Sequence, residues 1–252
     1  MTLAGVGVLI PGAGQLAERC ADAVRERGGD PVVAPVLAFR APAGDDLARL
    51  ANASARLRGG GYDWLAVTSP RAVAALRGCH GLALAEGTRV AAVGGATAAA
   101  LRDAGVEPDF VPADATAAAL VAEWPEGDPG RVFVPQSSLA HPTLVDGLTA
   151  RGHEVDAVTA YVTVPRPLDE ATRAEVANGR IRAAIVTSGS VGRALADALG
   201  DPPPVAIVSI GPQTTADLTA AGLTVAAESQ ERTAESLVTA VELALTPTEE
   251  SS

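Results

Sequence analysis

Thr-Ser-Pro-Arg-Ala-Val-Ala-Ala-Leu at residues 68–76 returns as Thr-Ser-Gly-Ser-Val-Gly-Arg-Ala-Leu at residues 187–195. Each copy is followed by a glycine-threonine element, Ala-Val-Gly-Gly-Ala-Thr at 92–97 and Ser-Ile-Gly-Pro-Gln-Thr at 209–214. Thr68 precedes Gly94 by 26 residues and Thr187 precedes Gly211 by 24, so spacing is kept along with spelling. A second pair lies upstream of each: Val8-Leu9-Ile10-Pro11 runs toward Gly28 and Val132-Phe133-Val134-Pro135 toward Gly152, both with 17 residues from proline to glycine. The chain reads as two halves, each ordered strand-Pro-helix-Gly, strand-Thr-Ser-helix and strand-Gly-x-x-Thr-helix. The period is far too long for a solenoid, so the expectation is duplication into two similar lobes.

Working outward, short β-branched runs alternate with Ala/Leu/Arg/Glu-rich amphipathic segments, the pattern of parallel strands covered by helices. Strands are expected near residues 5–10, 31–35, 64–67, 89–93, 131–134, 183–186 and 205–210. After Gln15, apolar Leu16, Cys20, Ala23 and Val24 recur at helical spacing, and Gly28 or Gly29 supplies the stop. Two segments break the alternation, residues 34–42 and 158–167, both extended and bounded by prolines that disfavour helix. They read as connectors. Residues 246–252 are expected to form a disordered tail.

Composition narrows the function. The 252 residues are 48% hydrophobic, enough for two cores of ordinary domain size, and only 3% aromatic. A base-stacking surface is therefore not expected, and a net charge of −11 opposes a polyanionic nucleic acid partner. All 19 basic residues are arginine, which excludes Schiff-base, pyridoxal phosphate and Walker-loop chemistry, each of which needs lysine. Cys20 and Cys79 are too few for a disulfide framework and read as small buried hydrophobes. His80, His141 and His153 show no metal-ligand spacing and read as loop or surface residues; no metal is expected. The first residues form a strand rather than a signal peptide, and no run approaches the ~20 apolar residues of a membrane span, so the expectation is a cytoplasmic, soluble protein.

Thr68-Ser69 and Thr187-Ser188 fall at strand ends just before helices, where a hydroxyl caps free N–H groups and those N–H groups can also bind an anion. In the Gly94 and Gly211 elements, glycine permits close backbone approach and Thr97 or Thr214 opens a helix. Plain capping and ligand binding both remain open for each hydroxyl; the pairing across the halves favours ligand sites at the carboxyl ends of two sheets. Gly12-Ala13-Gly14-Gln15-Leu16-Ala17 fits a dinucleotide fingerprint, but no acidic residue follows at the end of the second strand, and Gln136-Ser137-Ser138 in the other half lacks glycine. Tyr161, one of two tyrosines, lies in a connector, where it either packs the connectors together or donates a proton. Arg40, Arg71, Arg166 and Arg193 lie near the connectors or the Thr-Ser turns and are either solvated charges or bidentate carboxylate ligands.

Together these motifs resemble the uroporphyrinogen-III synthase family. The resemblance is carried by Tyr62-Asp63-Trp64 leading into Val67-Thr68-Ser69, by Ala92 to Thr97, Pro108-Asp109-Phe110-Val111-Pro112, Ala160-Tyr161-Val162-Thr163-Val164-Pro165, Val186-Thr187-Ser188, Ile210 to Thr214, and Ala227-Glu228-Ser229 through Thr233-Ala234-Glu235-Ser236-Leu237. It implies two α/β lobes with parallel sheets joined by a two-stranded β connector, the first lobe discontinuous in sequence. Residues 1–36 plus 167–252 would form lobe 1 and 43–157 lobe 2, with 37–42 and 158–166 as connecting strands. It also implies a cofactor-independent lyase that cyclises hydroxymethylbilane, inverts ring D and loses water in tetrapyrrole biosynthesis. The implied catalytic residue is Tyr161. The implied substrate contacts are Arg40, Thr68, Ser69, Pro70, Arg71, Gly94, Thr97, Gln136, Ser137, Thr187, Ser188, Gly189, Ser190, Gly211, Pro212 and Thr214.

A monomer receiving its substrate by hand-over from hydroxymethylbilane synthase is expected, with a catalytically inactive tetrapyrrole sensor of the same fold as the alternative and a nucleotide-dependent oxidoreductase third. The chain departs from the family in having Pro11-Gly12 and Gln136-Ser137 where many members carry Thr-Arg-Pro-like and Arg-Gly-like turns. Arg71 replaces a commonly small or amide residue.

Overall fold

The computed structural model describes residues 3–79, 81–200 and 202–246. His80 and, apart from Thr246, the expected tail lie outside them. Ten strands run in chain order as β1 (Gly7–Ile10), β2 (Asp30–Val33), β3 (Leu37–Arg40), β4 (Trp64–Val67), β5 (Arg89–Ala92), β6 (Arg131–Ser137), β7 (Glu154–Pro165), β8 (Ile181–Val186), β9 (Ala206–Ser209) and β10 (Val225–Glu228) among the described residues. The helices are α1 (Gln15–Glu26), α2 (Gly44–Arg58), α3 (Pro70–Gly78), α4 (Gly95–Asp103), α5 (Ala117–Ala122), α6 (Thr143–Ala150), α7 (Glu170–Ala177), α8 (Gly189–Leu199), α9 (Pro212–Ala220) and α10 (Ala234–Ala244). The chain divides into two units, Met1–Ala38 with Val164–Ser252, and Phe39–Thr163.

The first unit carries a five-stranded sheet in the order β10-β9-β8-β1-β2, built from both ends of the sequence. Its neighbouring strands pair in parallel. Alternation along β1 divides the core: Val8 and Ile10 pack with α1 and α10 residues such as Val24 and Leu237. Leu9 packs on the other face with Leu195 of α8 and Leu218 of α9. A sheet covered on both faces is the layer arrangement that continuous Val/Ile/Leu strands require.

The second unit has a sheet in the order β3-β7-β6-β4-β5. Pairings of β4 with β5 and β6, and of β6 with β7, are parallel. Leu65 and Val67 face α2 and α3 through Leu50, Leu57, Val73 and Leu76. Trp64 and Ala66 face Leu120, Trp124, Leu144 and Leu148. The repeated proline-to-glycine spacing has a geometric cause: Gly28 (φ 80°) and Gly152 (φ 90°) adopt left-handed backbone after α1 and α6. At each stop the same bonds form, Gly28 N–H to Arg25 and Gly29 N–H to Val24, Gly152 N–H to Thr149 and His153 N–H to Leu148.

Three expectations are corrected. The expected strands do not include β10, and β7 begins at Glu154, four residues before the expected connector. His153 lies in a loop but is buried, 9% exposed, with its ring against Trp124 and its Nδ1 accepting the Gly130 N–H at 3.1 Å. Cys20 and Cys79 are buried free thiols. Among the described residues no helix is long and apolar enough to cross a membrane.

Candidate functional site

In the second unit, Ser69 links buried β4 to α3 with extended backbone (φ −155°, ψ 149°), and its Oγ accepts the Ala72 N–H at 3.2 Å. The same oxygen lies 3.2 Å from the Tyr161 hydroxyl. Pro70 takes the first helical position, where its missing N–H is no loss and its fixed φ suits the helix. Arg71 lays its guanidinium over the Phe39 ring, 3.5 Å from the centroid, and Phe39 meets Tyr161 edge-on with centroids 6.0 Å apart. Ser69, Tyr161, Phe39 and Arg71 are therefore linked by three successive contacts that begin and end at the start of α3. β3 and β7, adjacent in the sheet, deliver Phe39 and Tyr161 to it.

The two tyrosines differ in their freedom to react. Tyr62 is buried, stacks on Phe133 and donates to Asp156. Burial first, then the Asp156 hydrogen bond and charge, pushes its phenol far above the ordinary range. Tyr161 is half-buried and its hydroxyl meets another hydroxyl rather than a carboxylate. Of the two, Tyr161 is the phenol available to a ligand.

Beside it on β6, Ser137 pairs in register with Tyr161 after a shift between Gln136 and Ser137. Its Oγ lies 2.8 Å from Thr163 Oγ1 and accepts the Leu139 N–H at 3.1 Å, so the chain itself holds this hydroxyl. Thr68 and Gln136 are half-buried at their strand ends. Gly94 is required by packing, since a Cβ there would stand 2.5 Å from Ala115 Cβ. Thr97 is 2% exposed and its N–H bonds Gly94 O at 3.0 Å. Its side chain faces the interior, and Gly95 and Ala96 form the outer face of the turn.

In the first unit, Ser188 caps α8 with nearly the same backbone (φ −164°, ψ 157°), accepting the Val191 N–H at 3.3 Å. Its Oγ lies 3.0 Å from Ser190 Oγ. Gly189 is a close-approach residue: a Cβ there would meet Asp217 Cβ at 2.6 Å. Thr187 Oγ1 lies 3.7 Å from where a Gly12 Cβ would stand. Thr214 is 7% exposed, so the surface of the α9 turn is given by Pro212 and Gln213. Arg166 and Arg193 are exposed.

Three residues absent from the sequence reading of the site adjoin these turns. Phe39 supports both Arg71 and Tyr161, Thr163 holds Ser137, and Arg232 brings its Nε within 3.9 Å of a Cβ position on Gly211. The scarcity of aromatics and the connector position of Phe39 are a usable signal; Arg232, in the polar run before α10, carries none. Among the described residues no group of three or more His, Cys, Asp or Glu is placed to hold a metal ion.

The family model of uroporphyrinogen-III synthase HemD matches residues 18–239. No curated protein sequence matches the chain. Among solved structures, a mutant uroporphyrinogen III synthase from the extremely thermophilic bacterium Thermus thermophilus aligns at 22% identity and TM-score 0.68, covering 95% of this chain and 98% of that one. The wild-type protein from the same organism, in another crystal form, aligns at 23% identity and TM-score 0.52 with the same coverage. Uroporphyrinogen-III synthetase from Helicobacter pylori aligns at 14% identity and TM-score 0.62, covering 96% of this chain and 100% of that one. At these identities the structural likeness is one of fold.

Proposed function

The chain belongs to the uroporphyrinogen-III synthase family, and we propose that it closes hydroxymethylbilane to uroporphyrinogen III with inversion of ring D and loss of one water. The observation that carries this reading to a residue is the Tyr161 hydroxyl held 3.2 Å from Ser69 Oγ at the start of α3.

The chemistry asks little beyond placement and one proton. The terminal carbon of the linear substrate bears hydroxyl and adjoins a pyrrole, whose nitrogen lone pair pushes electrons outward as the C–O bond breaks. Tyr161 delivers a proton to the departing oxygen, and water leaves. The ring D carbon that already carries the bridge to ring C bonds to the electron-poor methylene carbon, giving a spiro intermediate. The old bridge bond then breaks with its electron pair returning to ring D, and the freed methylene, stabilised by the ring C nitrogen, bonds to the unsubstituted α-carbon of ring D. That carbon loses its proton, so the ring is closed with no net redox change. Free closure uses the unsubstituted ring D carbon and gives no inversion, so the protein's larger task is to hold a bent conformer in which the substituted ring D carbon meets the methylene first.

The substrate is a polycarboxylate, and fixed N–H groups at helix starts bind carboxylates even in an acidic chain, because net charge is screened within about 10 Å while the helix dipole acts at contact. Ser69 and Ser188 hydroxyls, with the helix-start N–H groups of Gly95, Ala96, Ser190, Gln213 and Thr214, serve here. Thr97 and Thr214 contribute through their turns, their hydroxyls being turned inward. Arg40 and Arg71 supply charge beside Tyr161. Hand-over from hydroxymethylbilane synthase to a monomer, without a cofactor, completes the reading.

The test couples the purified protein to hydroxymethylbilane production and resolves the isomers. The expected product is type III in place of the spontaneous type I; an unchanged isomer ratio overturns the assignment.

A further inference from the structure

Between α2 and α3, beside β3 and β7, the second unit has a cavity of about 800 Å³. That lies within the ~300–1,000 Å³ of ordinary small-molecule sites. Its walls are carbon: Leu47, Ala51, Ala75 and the rings of Phe39 and Tyr161. Leu47 and Phe39 are 46% and 39% exposed, large apolar groups left open to solvent.

The charge at its rim is inverted relative to the rest of the molecule. The chain has 30 acidic and 19 basic residues, yet the charged lining of this cavity is Arg40 and Arg71, with no carboxylate among the described residues. Neither guanidinium has an acidic partner among the described residues, and Arg71 is held in place by the Phe39 face rather than by an ion pair. Two unpaired cations over an apolar hollow match a ligand with one anionic group and a hydrophobic body.

We propose that this cavity binds a small amphipathic monoanion, its ring-sized apolar body against Leu47, Ala51 and Ala75 and its carboxylate or sulfonate at Arg40 and Arg71. The apolar hollow beyond the two guanidiniums does not suit the polycarboxylate substrate: a body carrying acetate and propionate arms on every ring would leave carboxylates against carbon, at a cost of several kcal/mol per unpaired charge. The cavity shares Arg40, Arg71 and Tyr161 with the proposed reaction centre, so its occupant would exclude substrate there; occupancy is read by binding alone, whatever the outcome of the isomer test.

The probe is 8-anilinonaphthalene-1-sulfonate, compared with neutral N-phenyl-1-naphthylamine, in fluorescence titrations of the full chain. Saturable one-site binding is expected. Ala51→Trp and Ala75→Phe, which fill the hollow, weaken both probes at least about 10-fold. Arg71→Gln weakens the sulfonate about 10-fold, the worth of a charge-assisted contact, and leaves the neutral probe nearly unchanged. Non-saturable binding, indifference to the filling variants, or equal loss of both probes in Arg71→Gln overturns the proposal.

A measurement on the unaltered chain guards against variants that fail to fold. Cys79 lines the cavity, whereas the Cys20 thiol is pushed up to about 11 by burial and then by Glu235, and reacts slowly near neutrality. Saturating sulfonate is expected to slow iodoacetamide labelling of Cys79; an unchanged rate overturns the proposal equally.

Discussion

The Ser69 and Ser188 turns begin alike and diverge within two residues. Both serines are extended N-caps, with backbone angles within 10° of each other, and both accept the N–H three residues on. Then Pro70 stands against Gly189 and Arg71 against Ser190. Around Ser69 the neighbours are a phenol and a guanidinium; around Ser188 they are a second hydroxyl and, packed on Gly189, the Asp217 side chain. What a helix needs to start was kept in both copies, while what surrounds the cap differs. A half-buried phenol stands at one turn and a tight helix contact at the other.

The sharpest way to break this contrast is Tyr161→Phe. Loss of a general acid is expected to slow isomer-resolved turnover about 100-fold, equivalent to about 2.7 kcal/mol of barrier. The melting temperature should hold, because the ring and its edge contact with Phe39 remain. Turnover equal to the unaltered protein would make Tyr161 a packing residue and remove the asymmetry.

Next in size is Gly189→Ala. The new methyl would stand 2.6 Å from Asp217 Cβ, close to the α9 backbone, where a side-chain rotation gives no relief. Overpacking of this kind costs about 1–3 kcal/mol, read as a lower midpoint in urea. Gly95→Ala, at the same helical position of α4, meets open space and is expected to be neutral or stabilising by up to about 1 kcal/mol. Equal losses in both would show that helix-start geometry, not the α8–α9 contact, demands the glycine.

The parts of this contrast that are legible in the sequence are the local ones. Capping acts over three residues and a left-handed stop over two, so Thr68-Ser69, Thr187-Ser188, Gly28 and Gly152 announce themselves in short spelling. The alternation of β-branched and amphipathic runs likewise marks the α/β class with parallel sheets. β10 escapes because Val-Ala-Ala-Glu has one β-branched residue and, at the sheet edge, no buried position. The start of β7 is hidden by Glu154 and Asp156, charges that a half-exposed strand tolerates. The site's own contacts are out of reach: Tyr161 and Ser69 are 92 residues apart. Phe39, Arg71 and Thr163 meet their partners only once the sheet order is set.

The smallest effects, and the closest test of the comparison, belong to Ser69→Ala and Ser188→Ala. Each removes one cap, and since the two caps have matching geometry each is expected to lower stability by about 1 kcal/mol. In kinetics the pair should part. Ser69 contacts the proposed proton donor, so its loss is expected to free the Tyr161 hydroxyl and lower kcat about 5-fold beyond any change in KM; Ser188 pairs with the Ser190 hydroxyl, so its loss is expected to raise KM by a similar factor with kcat kept. The split separates orienting a donor from holding a carboxylate, because a contact made equally in ground and transition states moves KM alone. If both variants lower kcat alike, the hydroxyl beside Tyr161 does no more than its twin, and the two turns differ in sequence without differing in work.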